Sequence, residues 1–176
     1  MEEIRDYLTL AQSTSASEFV ARSNAFFLVK RPRKHAIPLP APSSIAYATQ
    51  LTKIEIDPFA SEWQVFPVKK REGNPYPERI SIGRATNCDI VIRLPSISKV
   101  HAHILKDGDA SYKLADNEAA NATFVNGRKV LGKAAMPVKV RDTIAFGTFE
   151  LEFVDAQRLY HILRSEVVPK KTAAAK

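Results

Sequence analysis

The sequence predicts an all-β fold, a sandwich or barrel of short strands, with a small helical segment ahead of it and one helix behind. Three observations predict it. From Gln64 to Val154, short apolar segments recur about every eight to twelve residues with turn residues between them, the rhythm of an all-β sandwich or barrel. Phe149, Leu151 and Phe153 alternate with Glu150 and Glu152, which puts rings and aliphatics on one strand face and carboxylates on the other. Asn126-Gly127 lies between two such segments, and this dipeptide favours a two-residue hairpin turn because both positions tolerate positive φ.

The elements follow in chain order. Glu2 to Gln12 reads as a short helix with Ile4, Leu8 and Ala11 on one side. Ser15-Ala16-Ser17-Glu18 supplies hydroxyls ahead of Phe19-Val20-Ala21, a helix start. Phe26 to Lys30 is a short apolar run that fits either the end of that helix or a buried strand, and periodicity leaves both open. The stretch from Arg31 to Pro42 is a connector whose four prolines exclude helix and favour an extended chain. Leu51 to Ile56 alternates weakly, as a strand would. The expected strands beyond it are Gln64–Lys69, Arg79–Ile82, Asp89–Ile92, Ala102–Lys106, Ser111–Ala115, Thr123–Val125, Lys129–Leu131, Pro137–Val140, Thr143–Phe146 and Phe149–Val154. Asp155 to Val167 reads as a helix with Leu159, Ile162, Leu163 and Val167 on one face, stopped by Pro169 and followed by a frayed tail. The expected organisation is an N-terminal extension and proline-rich linker over 1–58, a β domain over 59–154, and a C-terminal helix and tail over 155–176.

Composition narrows the function classes. Of 176 residues, 45% are apolar and 26% charged, a globular balance. No apolar run approaches the roughly 18 to 20 residues of a membrane helix. The acidic start lacks the basic front of a secretory signal, so the expected location is the cytoplasm. The single cysteine, Cys88, excludes an internal disulfide and cannot alone hold zinc. The formal net charge of +7 suits acidic partners, but it is spread along the chain without a polybasic run.

Three inter-strand stretches carry the chemistry: Ile82 to Ile90, Pro95 to Ile104 and Asp116 to Gly127. They supply a fixed cation (Arg84), a hydroxyl with an adjacent cation (Ser98, Lys99) and a side-chain amide (Asn121). A phosphate dianion is met by a guanidinium fork and hydroxyl donors, and an amide can grip an extended peptide backbone. If these loops meet at one end of the sandwich, they form a shallow phosphopeptide reader.

With Gly83-Arg84, then Ser98-Lys99-Val100-His101, then Asn121 leading into Val125-Asn126-Gly127, in that order and spacing, the stretch from about residue 63 to 154 resembles a forkhead-associated (FHA) domain. The resemblance implies a β-sandwich of about eleven strands that binds phosphothreonine peptides through its loops. It implies that Arg84 and Ser98 contact the phosphate, that Lys99 adds a contact, and that Asn121 bonds the peptide main chain. Gly83, His101 and Gly127 are then structural in the binding loops, His101 through buried hydrogen bonds. Ala120 stands where many members carry Ser or Thr, and Ala122 where glycine is usual. The implied partner is a phosphothreonine-containing protein, a target or member of a Ser/Thr kinase pathway.

Other readings are weaker. His101-Ala102-His103 resembles a two-histidine metal clip, but no further cluster supplies ligands, so no metal and no cofactor are expected. Cys88 beside Asp89 reads as a small packed residue. No nucleophile, base and orienting group are visible, so no enzyme is expected. A nucleic-acid partner rests on net charge alone, without aromatics interleaved among the basic residues. The expectation is a non-catalytic signalling adaptor, the alternative a phospho-independent interaction module on the same fold.

Overall fold

The computed structural model describes residues 4–23, 25–32, 62–108, 111–132 and 134–167. Among them are eleven strands: β1 (Phe26–Lys30), β2 (Gln64–Pro67), β3 (Arg79–Gly83), β4 (Ile90–Val91), β5 (Ala102–Lys106), β6 (Tyr112–Asp116), β7 (Thr123–Val125), β8 (Arg128–Lys129), β9 (Met136–Val138), β10 (Thr143–Phe146) and β11 (Phe149–Asp155). They form a six-stranded sheet ordered β2-β1-β11-β10-β7-β8 and a five-stranded sheet ordered β4-β3-β5-β6-β9. The strands expected from Gln64 onward are present as β2 to β11, with ends shifted by up to two residues. The Asn126-Gly127 hairpin forms as its residues dictate, with φ of 50° and 75°, pairing Val125 with Arg128.

The sandwich reaches back across the boundary expected at residue 59. Of the two readings open for Phe26–Lys30, the buried strand is the one that forms: it is β1, pairing with β11 on one side and β2 on the other. Its Leu28 enters the core between the sheets, while Phe27 and Val29 enter a second core on the outer face of the six-stranded sheet. A strand covered on both faces loses its polar alternation and reads as a continuous apolar run.

Three short helices make that outer layer. In α1 (Ile4–Ser13) the buried residues are Tyr7 and Ala11, flanked by partly buried Ile4 and Leu8. Helix α2 (Ala16–Arg22) begins at Ser15 with a reciprocal cap: the Glu18 N–H donates to Ser15 Oγ and the Ser15 N–H to the Glu18 carboxylate. Helix α3 (Ala156–Ile162) starts on an Asp155 cap and continues as a π-helical turn, Leu163–Val167. Leu159, Ile162 and Leu163 are buried against Phe19, Phe27 and Val154, each such side chain stabilising the layer by about 1.5–3 kcal/mol. Arg31 pins the layer to the sheet: it pairs with Glu152 at 2.8 Å and with Glu166, and lies over the Trp63 ring. Most of the proline-rich connector, the strand expected over 51–56, Pro169 and the tail lie outside the described residues.

Candidate functional site

The connections β3–β4, β4–β5 and β6–β7 gather at one end of the sandwich, and the β10–β11 turn lies beside them. The parallel pairing of β3 with β4 starts this arrangement, because the chain must cross over after Gly83 and come back alongside. Ile82 and Ile90 hold the crossover to the core, and Cys88 is buried within it. Burial pushes the Cys88 thiol pKa up, and its Sγ donates to the Lys99 carbonyl at 3.3 Å, so this cysteine is a packed residue and not a thiolate.

Ser98 is where the three loops meet. Its carbonyl accepts the Arg84 N–H at 3.0 Å, tying it to the β3–β4 loop. Its Oγ accepts the Ala120 N–H at 3.1 Å, tying it to the β6–β7 loop. Its own N–H donates to His101 Nδ1 at 3.1 Å. Neighbouring bonds reinforce the junction: the Ala85 N–H donates to the Lys99 carbonyl at 3.1 Å, Asn121 Nδ2 to the Ser96 carbonyl at 2.8 Å, and Asn117 Nδ2 to the Val100 carbonyl at 3.2 Å. The residues singled out from the sequence, Arg84, Ser98, Lys99 and Asn121, thus lie on loops bonded to one another.

Two supports explain the local geometry. A Cβ on Gly83 would collide with the Lys99 carbonyl oxygen and stand 2.9 Å from Val100 Cα, so only glycine lets the end of β3 approach the Ser98-Lys99-Val100 backbone. His101 is fully buried with its ring edge-on to Phe146, centroids 5.1 Å apart. Burial holds its pKa below the ordinary value, with the Asp116 charge opposing. Since Nδ1 accepts from Ser98, the neutral ring carries its proton on Nε2. The Cβ of Ala122 costs no backbone strain, because Ala122 is not among the residues with positive φ.

Sequence reasoning missed the carboxylates that fix these loops. Asp89, whose side chain is out of solvent, accepts from the Arg71 and Ser81 N–H groups, the Ser81 hydroxyl, Asn74 Nδ2 and Lys70 Nζ, at 2.7–3.0 Å. Burial raises its pKa, but the donors outweigh burial and hold it down at about 2. Asp116 receives the Thr123 hydroxyl at 3.1 Å and the Ala119 N–H, closing the β6–β7 loop. The legible signals were an aspartate directly before an apolar pair and the Asp116-Asn117 turn dipeptide, both of which read as ordinary loop residues.

The chemistry left at the surface is cationic and donor-rich. Arg84 and Lys99 are exposed, and among the described residues neither forms an ion pair. The Ser98 hydroxyl uses its oxygen as acceptor for Ala120, which leaves its proton to donate. Asn121 spends one amide N–H on Ser96 and keeps its second N–H and its Oδ1. Such a group can hold an anion against a fixed backbone and grip an adjacent peptide amide. Among the described residues no group of three His, Cys, Asp or Glu side chains gathers to hold a metal.

Residues 80–147 match the FHA domain family model. Solved structures similar to this chain include the FHA domain of the CT664 protein from Chlamydia trachomatis, at 23% identity and a TM-score of 0.46, covering 74% of this chain and 98% of that one. Another comes from a structural and functional study of phosphothreonine-dependent FHA domain interactions, at 21% identity and a TM-score of 0.43, covering 56% and 88%. A third is the MEK1 FHA domain in complex with a HOP1 phosphothreonine peptide, at 24% identity and a TM-score of 0.42, covering 52% and 88%. The loops that meet at Ser98 all fall within residues 80–147, the stretch of the β-sandwich that matches the forkhead-associated domain family.

Proposed function

We propose that this chain is a non-catalytic signalling adaptor that binds phosphothreonine-containing proteins through Arg84, Ser98, Lys99 and Asn121. The observation that carries the reading is the junction at Ser98. Backbone and amide hydrogen bonds fix three loops there, while two exposed cations and one hydroxyl proton are left unspent among the described residues. Arg84 and Ser98 take the phosphate, Lys99 adds charge, and Asn121 bonds the peptide main chain next to the phosphothreonine. The partner is a substrate or member of a Ser/Thr kinase pathway, and the adaptor works in the cytoplasm. Charge-assisted hydrogen bonds contribute about 1.5–3 kcal/mol each, so a few of them support a modest, reversible affinity.

Calorimetry with matched phosphothreonine and threonine peptides from a library tests this. Wild type should prefer the phosphorylated member, and Arg84→Ala should lose at least about tenfold in affinity with the fold intact. Equal binding of both members by wild type would favour the phospho-independent module, a reading that the missing hydroxyl at Ala120 keeps open.

A further inference from the structure

A second surface lies behind the β3–β4 loop. A groove of about 1230 Å³ runs between the outermost strands of the two sheets, β2 and β4. Its apolar lining includes Trp63, Phe66, Ile90 and Val91. Its charged lining is Arg5, Lys69, Lys70, Arg71 and Arg93 with Glu62 and Asp89. Asp89 and Lys70 pair at 3.0 Å and cancel, which leaves Arg5, Lys69, Arg71 and Arg93 against Glu62. Arg5 and Arg93 form no ion pair among the described residues, whereas the Arg71 guanidinium donates to the Thr86 carbonyl. Thr86 itself lines the groove and stands two residues from Arg84, so a single six-residue loop separates the groove from the phosphate-reading junction.

We infer that this groove seats a second stretch of the same phosphorylated partner, an extended segment in which acidic residues alternate with apolar ones. The inference rests on the phosphothreonine reading above and extends it. Charge selects the occupant: a lining that is part apolar and net cationic rejects a basic segment and favours an acidic one with apolar residues. Shape selects an extended chain. Among the described residues no strand pairs with the outer edges of β2 or β4, and such edges accept main-chain partners. Continuity with the Arg84 loop makes the two contacts additive in one ligand. Once the phosphate is held, the second segment binds at a high effective concentration.

The test uses the full chain and four synthetic peptides. A short peptide carries the phosphothreonine with four residues on each side. A long one adds an acidic-apolar segment of about ten residues to either end, enough to run the length of β2 and the residues that follow it. Each is made with threonine and with phosphothreonine. On wild type the long phosphopeptide should bind about tenfold tighter than the short one. The double variant Arg5→Glu, Arg93→Glu should cancel that gain and leave the short peptide unchanged. An extension that adds nothing on wild type overturns the inference, as does a double variant that weakens both lengths alike. A gain from the extension with no preference for phosphate at either length fails the earlier reading and leaves the groove standing. Two results would assign the groove elsewhere and overturn the inference. One is a dimer in sedimentation velocity that the double variant abolishes, which would make the occupant a second copy. The other is a tenfold rise in long-peptide affinity on removing residues 36–58, which would make it the chain's own segment.

Discussion

Replacing Asp89 with Asn changes one atom and strips a charge from the most heavily bonded carboxylate near the loops. Oδ1 accepts from the Arg71 N–H and from Asn74, and Oδ2 accepts from Lys70, the Ser81 N–H and the Ser81 hydroxyl. An asparagine must turn its NH2 toward one of these donor sets, which leaves at least two donors facing a donor. The magnitude has two sources. A pKa held at about 2 against the usual 3.8 corresponds to about 2–3 kcal/mol of folded-state stabilisation at neutral pH. A buried donor left unmatched costs about 1–3 kcal/mol, and the two figures overlap because the same hydrogen bonds depress the pKa. The expected loss for Asp89→Asn is therefore about 3 kcal/mol by urea denaturation at pH 7. The pH dependence gives a second readout. With its folded-state pKa depressed, Asp89 contributes its full stability above about pH 4 and loses it as the pH falls toward about 2. The variant should therefore lose part of the acid limb that wild type shows. A variant within about 0.5 kcal/mol of wild type, with the acid limb unchanged, would refute the role given to Asp89.

Gly83→Ala should destabilise the fold by about 1–3 kcal/mol and weaken phosphopeptide binding, because the added Cβ displaces the Lys99 carbonyl beside Ser98; equal stability and affinity would show that the approach of β3 to that loop is not tight. Burial holds the pKa of His101 below 6.5, so the unfolded chain takes up the proton first; stability should be complete above about pH 6.5 and decline as the pH falls through the folded-state value. His103, also held low by burial and next by Arg79, adds to that slope, so His101→Gln should flatten it only in part in a pH series of thermal melts. Asn121→Ala should reduce phosphopeptide affinity severalfold with little change in melting temperature, because Asn121 is exposed and its one internal bond joins two loops already tied at Ser98. Affinity should also fall below about pH 6 as the phosphate loses its second charge, and a flat calorimetric profile from pH 7.5 to 5 would count against a dianion at Arg84.

Much of the sheet was legible because one face of most strands is wet or covered by polar loops. Phe149, Leu151 and Phe153 point inward while Glu150 and Glu152 point out, and period two shows it at once. The β1 run stayed ambiguous between strand and helix end for the opposite reason: the helical layer covers the face that would have carried polar residues. Nor does any local signal pair Phe26 with Asp155, since that register depends on a chain reversal spanning nearly the whole molecule. The π-helical turn after Ile162 has no sequence mark either; the apolar stripe of Leu159, Ile162 and Leu163 reads the same in an α-helix. At the proposed site, residue type singled out Arg84, Ser98 and Asn121, because a phosphate reader would need those donors. Their convergence was not announced, since it rests on main-chain groups of Arg84, Ala85 and Ala120 whose side chains say nothing of it.

That division between main chain and side chain explains how the site combines rigidity with reactivity. Had Arg84 paired with a carboxylate to fix its loop, its charge would have been consumed. Here the loop is fixed by the Arg84 N–H on Ser98, the Ala85 N–H on Lys99, and the buried Asp89 on its far side, and among the described residues the guanidinium takes no part in holding it. The same holds at Ser98, whose carbonyl, N–H and oxygen lone pair all bind protein while the hydroxyl proton does not. A ligand that takes these groups finds the loops already ordered and loses little entropy in ordering them further, so more of each charge-assisted bond appears as affinity. It follows that variants of Asp89, Gly83 and His101 should lower affinity and stability together, whereas variants of Arg84, Lys99 and Asn121 should lower affinity alone. A set of variants in which the two quantities fail to separate along that line would mean that the loops are ordered by the ligand and not by the fold.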